Sequence, residues 1–174
     1  MKIAIFLVLV LSILSANTIK SYKYQLSHLT EEQSNVKNLI AYNAKKYDLK
    51  YTMLAIAFRE SQFGKYKLNL ADPSAGIFHQ LLPTYCKELG LRPNSWNQSR
   101  VAEKLVSSNA LALHTAINHF KRDYEHFKLL GYSNAISWRK AVMSYNAGIY
   151  NYQIGYGYYK EIVKIIKALH QLEY

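Results

Sequence analysis

The sequence predicts a mostly α fold, a single compact helical domain. Three observations carry that expectation. Only three prolines and seven glycines occur in 174 residues. Apolar residues recur at helical spacing along most of the chain. No repeat, Pro- or Ser-rich linker or low-complexity tract divides it, and its length suits one domain.

Each element has its own signal. Thr30 and Gln33 form a capping-box pair, and the helix they open should run to about Tyr47 on Val36, Leu39, Ile40 and Ala44. A second helix is expected from Thr52 to about Gln62, with Met53, Ile56 and Ala57 on one stripe and Gly64 as its stop. Residues 65–76 hold Asn69, Asp72, Pro73, Ser74 and Gly76 and read as a loop. A short helix follows over Pro83 to Leu89, then a loop through Gly90, Pro93 and Asn94. Val101 to about Leu130 is the longest helical stretch, with a break near Ser107. Another helix begins at Ser137 or Trp138 and runs into Ser144 and Tyr145. Gly148, Gly155 and Gly157 punctuate a tyrosine-rich loop, and the last helix spans Tyr159 to about Leu172.

Residues 1–16 stand apart. Lys2 is followed by an apolar run from Ile3 to Leu14, interrupted by Ser12, and then by Ser15 and Ala16. This is the layout of a secretory signal peptide, with cleavage expected after Ala16 and a mature domain over 17–174. The run is short of the ~20 residues that a bilayer span needs. A retained N-terminal anchor is the alternative.

Lysine and arginine number 22 against 11 acidic residues, a formal charge of +11. A chain this basic meets an acidic polymer or surface, or is simply kept soluble. Its basic residues are scattered from Lys20 to Lys167, and nucleic-acid binding predicts clustering on one face. No nucleic acid is therefore expected. The single cysteine, Cys86, allows no intrachain disulfide and suits a buried apolar position. No cysteine–histidine group has zinc spacing. Neither a metal nor a cofactor is expected.

Glu60 is the candidate catalytic group. It follows Ala57, Ile56 and Met53 by three, four and seven residues, so a carboxyl falls on the apolar stripe of a hydrophobic helix. It also lies near that helix's C-terminal end. Burial and the negative end of the helix dipole both disfavour a charged carboxylate there. A carboxyl kept protonated in a cleft is what glycosidic cleavage requires. The plainer role is pairing with Arg59 or a lysine at the end of a helix.

The residues around Glu60 extend the case. The segment Leu54-Ala55-Ile56-Ala57-Phe58-Arg59-Glu60-Ser61-Gln62-Phe63 resembles the Glu-Ser helix of lytic transglycosylases of the soluble-lytic-transglycosylase (goose-lysozyme-like) superfamily. Gly76-Ile77-Phe78-His79, with Thr84 eight residues after the glycine, resembles the second motif. Ser144-Tyr145-Asn146-Ala147-Gly148 resembles the third. A tyrosine ahead of a hydrophobic helix is the fourth, matched by Tyr158 with Ile162 or by Tyr159 with Val163. The four occur in family order between about Leu39 and Leu169.

The resemblance implies a lysozyme-like helical domain that cuts the glycan strands of peptidoglycan, an acidic polymer, without hydrolysis. Glu60 would be the single acid and base. Ser61, Ser74, Gly76, His79, Tyr145, Asn146, Tyr158 and Tyr159 would serve the substrate. Gly76 would let the chain pass close to a sugar. The family usually has glutamine where this chain has His79. Gln80 takes that place if the alignment slides by one, and His79 can itself both donate and accept hydrogen bonds. It could also make activity more sensitive to pH.

A lysozyme-like hydrolase would need a second carboxyl, for which Asp72 is the candidate; Asp-Pro is equally a turn starter. A wall-binding module that has lost catalysis is the reading from another class. The tyrosines at 145, 150, 152, 156, 158 and 159 can face sugar or pack the last helix. With the N-terminal segment, the resemblance implies a periplasmic or secreted monomer. It would work alone on the wall, or open it locally for a secretion, conjugation or flagellar machine.

Overall fold

The computed structural model describes residues 18–69 and 72–173. The expected signal peptide lies outside them. The described chain opens in helix, α1, through residue 27. There follow α2 (Glu31–Lys45), α3 (Lys50–Ser61), β1 (Leu68–Asn69), β2 (Ser74–Ala75), β3 (Gln80–Leu81), α4 (Leu82–Glu88), α5 (Ser95–Ser107), α6 (Asn109–Leu129) and α7 (Asn134–Ala147). A 3₁₀ turn at Tyr152–Gly155 leads into α8 (Tyr156–His170). The mostly α expectation holds.

Local chemistry explains most boundaries. The Thr30 hydroxyl accepts from the Gln33 amide while the Gln33 side chain accepts from the Thr30 amide, closing the capping box of α2. Asn94, Ser108 and Ser133 cap α5, α6 and α7 in the same way, each accepting from an amide three residues on. Side-chain caps satisfy donors that the first helical turn leaves open.

Helix α3 is the central rod. Every residue from Thr52 to Phe58 is buried, so apolar character surrounds it and does not mark one stripe. It packs between α2 and α8, and α6 packs on α7. The core gathers Ile40, Met53, Ile56, Phe63, Phe78, Phe120, Ile162 and Ile165. Cys86 is fully buried beside them.

Several boundaries differ from the sequence expectation. The loop over 65–76 contains β1 and β2, which pair antiparallel with Leu68 opposite Ala75. Strand β3 joins them with Ala75 opposite Gln80. Strands two residues long are too short to show alternation. Helix α3 ends at Ser61, within a residue of the expected Gln62, but Gln62 and Phe63, with φ of 51° and 56°, turn the chain ahead of Gly64. Helix α5 begins at Ser95, ahead of Val101, because Asn94 caps it. Helix α7 begins at Asn134, ahead of Ser137, because Ser133 caps it. Gly157 lies inside α8, which starts three residues before Tyr159.

Candidate active site

The last turn of α3 brings Glu60 to the surface of the core, where a cleft of about 730 Å³ opens. Arg59, Glu60, Asp72, Ser74 and His79 are among its lining residues. Residues of β1, β3, α4, α6, α7, the loop after α7 and Tyr158 of α8 also line it. Glu60 keeps only 17% of its side chain exposed. The Tyr158 hydroxyl donates to its Oε1 at 2.6 Å. Burial and the nearby Glu60 charge hold the Tyr158 phenol protonated, with its pKa well above the usual value, so it is fixed as a donor.

His79 stands on the other carboxyl oxygen, with Nδ1 3.5 Å from Glu60 Oε2. Its Nε2 lies 2.7 Å from the Tyr66 carbonyl oxygen. Its backbone is left-handed, φ 44°, a conformation uncommon outside glycine but one in which histidine is enriched. Burial works against a charge on the ring; pairing with Glu60, the Tyr66 carbonyl and the field of Asp72 outweigh it, and its pKa is raised above 6.5. Gln80, the alternative for the family glutamine, donates to the Ala112 carbonyl at 2.7 Å. It is His79 that faces the acid.

The residue after Glu60 works underneath it. Ser61 is fully buried, and its hydroxyl bonds the Ile77 carbonyl at 2.7 Å and receives the Gly64 amide at 2.9 Å. This ties the end of α3 to the turn that carries His79. The Gln33 side chain adds a bond to the Gln62 carbonyl at 2.8 Å. The acid is therefore fastened on both flanks.

A second polar group lines the same cleft. Arg122 pairs with Glu88 and, at 3.3 Å, with the buried Asp123. His119 lies 3.6 Å from Glu88 and 3.5 Å from Asp123. The Ser144 hydroxyl donates to Asp123 at 2.7 Å. Contact with His119, opposed by burial and aided by Arg122, lowers the Glu88 pKa to about 2. Among the described residues no group of histidine, cysteine and acidic side chains is disposed to hold a metal ion.

The cleft gathers Glu60 with Tyr145, Asn146 and Tyr158, residues of three of the four sequence motifs. The family model for the transglycosylase SLT domain matches residues 37–163. The chain belongs to that family. The match takes in α3, the β-sheet, the Tyr-Asn segment of α7 and Tyr158. No curated protein and no solved structure matches the chain.

Within this transglycosylase domain the expected site residues divide. Glu60, Ser74, His79, Tyr145, Asn146 and Tyr158 line the cleft. The Ser74 hydroxyl is buried and makes no hydrogen bond to the described residues. Tyr145 does not reach Glu60: its hydroxyl donates to the Phe78 carbonyl at 3.1 Å. Three residues stand apart from the cleft wall. Ser61 is spent on backbone bonds beneath the floor. Gly76, φ 81°, is kept small by α5, since a Cβ there would lie 3.1 Å from the Leu105 carbonyl oxygen; its space goes to packing and not to a sugar. Tyr159 turns to Trp138 and Tyr156, with ring centroids at 5.9 and 6.2 Å. Of the other tyrosines, Tyr150 lines the cleft, while Tyr152 packs on Phe127 and binds Lys140. Asp72 is exposed at the rim.

Glu88, His119, Arg122 and Asp123 were not among the sequence candidates. One signal could have found Asp123. It falls three residues after Phe120 and four before Phe127 on α6, an acid on an apolar stripe, as Glu60 was read to be.

Proposed function

We propose that the chain is a peptidoglycan lytic transglycosylase that cuts the bond between N-acetylmuramic acid and N-acetylglucosamine without water. One observation carries the reading: a half-buried Glu60 opens into the cleft with a permanent donor, Tyr158, on one carboxyl oxygen. Protonated Glu60 gives its proton to the linking oxygen as the bond from C1 breaks. The resulting carboxylate then takes the proton of the C6 hydroxyl of the same sugar, and that oxygen closes on C1 as a 1,6-anhydro ring. The acid returns to its starting state, so one carboxyl completes the cycle. Ser74, Asn146 and Tyr150 on the cleft wall offer polar and flat surfaces for the flanking sugars.

A second reading has an observation of its own. Asp72 shares the cleft with Glu60, and a second carboxyl could activate water in a hydrolase. Mass spectrometry of peptidoglycan digested by the purified protein separates the two. Anhydro ends are expected; reducing ends would transfer the assignment to the hydrolase, and sacculus binding without products to a wall-binding module. Glu60→Gln is expected to lower the rate by at least ~10²-fold with an unchanged circular dichroism spectrum. Full activity in that variant would remove the mechanism.

The substrate also sets where the protein works. Export through the segment 1–16 would bring it to the wall, in the periplasm or outside the cell, as a monomer. Fusing that segment to a reporter and locating the product tests this step. Recruitment by a secretion, conjugation or flagellar machine would suit so small a domain, and co-purification from envelopes tests it.

A further inference from the structure

We infer that His79 is the proton store of Glu60: the two side chains share one proton between Oε2 and Nδ1, and loss of that proton sets the upper pH limit of the reaction. The inference rests on the transglycosylase reading and deepens it.

The geometry assigns the ring atoms. The Tyr66 carbonyl can only accept, so the Nε2 of His79 at 2.7 Å must carry hydrogen. A neutral imidazole has one N–H. The Nδ1 of neutral His79 is then a bare lone pair, and it faces Glu60 Oε2 at 3.5 Å. With the carboxyl ionised and the ring neutral, two acceptors would confront each other. One proton between them removes the conflict, either as Glu60–OH against neutral His79 or as carboxylate against imidazolium. The other oxygen, Oε1, already receives the Tyr158 hydroxyl, which leaves Oε2 as the oxygen with an open place for hydrogen. The contact is long for a hydrogen bond, as catalytic contacts often are before substrate closes the site.

The backbone supports the assignment. His79 holds φ at 44°, a cost that persists where surrounding structure enforces it. The enforcing contacts are its own amide bonded to the Gly76 carbonyl at 3.2 Å and the Ser61 hydroxyl on the Ile77 carbonyl. Other charged or titratable groups face the pair from each side. Asp72 beside β2 favours a proton on the ring. Tyr158 on α8 stays protonated, as does Tyr145 on α7, for which burial comes first and the Glu60 charge next. Arg59 on α3 is engaged by Glu161.

The proton balance closes. When the proton rests on the ring, the Nδ1–H bond breaks and Oε2–H forms. That O–H bond then breaks as the linking oxygen gains hydrogen and its bond to C1 is lost. The C6 hydroxyl gives its proton back to Oε2 as C6–O bonds to C1. His79 is a positioning residue and touches no sugar atom in this sequence. Because two coupled sites hold the one proton, it leaves at a higher pH than it would from either site alone.

The test reads the ring directly and then the rate. In ¹⁵N-detected NMR of wild-type protein, neutral His79 is expected to carry its hydrogen on Nε2 and to titrate above 6.5. In Glu60→Gln that midpoint should fall by about one unit. A neutral ring protonated on Nδ1, or a midpoint indifferent to Glu60→Gln, overturns the inference. In kcat–pH profiles His79→Gln should move the alkaline limb down by about one unit. His79→Asn should do the same and suits the left-handed backbone better. A limb that stays in place while the rate falls uniformly would mean the ring only braces the turn, and would also overturn it. Product analysis separates the two failures. Wild type without anhydro ends but with the expected His79 titration sinks the transglycosylase reading alone. Anhydro ends with an indifferent His79 sink the proton store alone.

Discussion

At the scale of single residues, Tyr158 is the sharpest probe of the site. Tyr158→Phe keeps the buried ring and removes only the donor on Glu60 Oε1. A hydrogen bond to a charged group is worth about 1.5–3 kcal/mol. The kcat on purified glycan strands should fall by about 10- to 100-fold with little change in KM, since the lost bond serves the acid and not the sugar. Steady-state kinetics on defined strands would show this; a change confined to KM would place Tyr158 in substrate binding. Glu60 and the tyrosine motif were legible because their spacing survives in one dimension. Tyr158 and Tyr159 could not be separated that way: both precede a hydrophobic helix, and only the pose of α8 sends one to Glu60 and the other to Trp138. His79 was legible as a candidate but not its partner, because a left-handed backbone angle decides where the ring points.

At the scale of elements, the capping box of α2 was readable, whereas the single caps Asn94 and Ser133 went unread and left α5 and α7 placed too late. Thr30 with Gln33 gave α2 its true opening. The start of α8 was placed too late because Gly157 looks like a breaker, although it sits in a helical turn with open space around it. Gly155, two residues earlier, is the glycine that matters. Its backbone is ordinary, φ −72°, yet a Cβ there would press into the backbone of Met143, with the Cα at 2.9 Å. The 3₁₀ turn can lie against α7 only because that position is bare. Gly155→Ala should therefore cost about 1–3 kcal/mol, the usual penalty of overpacking. Gly157→Ala should be neutral or gain up to about 1 kcal/mol from helix propensity. Thermal melts of the two variants provide the comparison. Equal melting points would mean that the turn does not need the close approach.

At the scale of the whole molecule, the polar group around Glu88 links acidity to stability. Glu88 titrates at about 2 in the folded protein, against 4.5 ordinarily. Its contribution is complete above about pH 4.5 and fades as pH falls toward 2, where the unfolded chain binds the proton first. A shift of that size in a shielded pair would amount to about 3 kcal/mol. Arg122 is 51% exposed, so screening leaves about 1 kcal/mol. Denaturant titrations at pH 6 and pH 3 should show more than half of that increment in wild type and none of it in Glu88→Gln. A pH dependence identical in both would show that Glu88 is not its source. This group escaped the sequence reading because its members come from α4, α6 and α7, and only packing assembles them.

Helix α8 carries Tyr158 at one end and the core residues Ile162, Ile165 and Leu169 along its length. The same segment therefore supplies a hydroxyl to the acid and closes the apolar interior around α3. A protease that clipped the chain ahead of it would remove both together. A copy cut there would lack its packed interior and the donor on Glu60 at once, so damage at this one point would leave no half-working remnant.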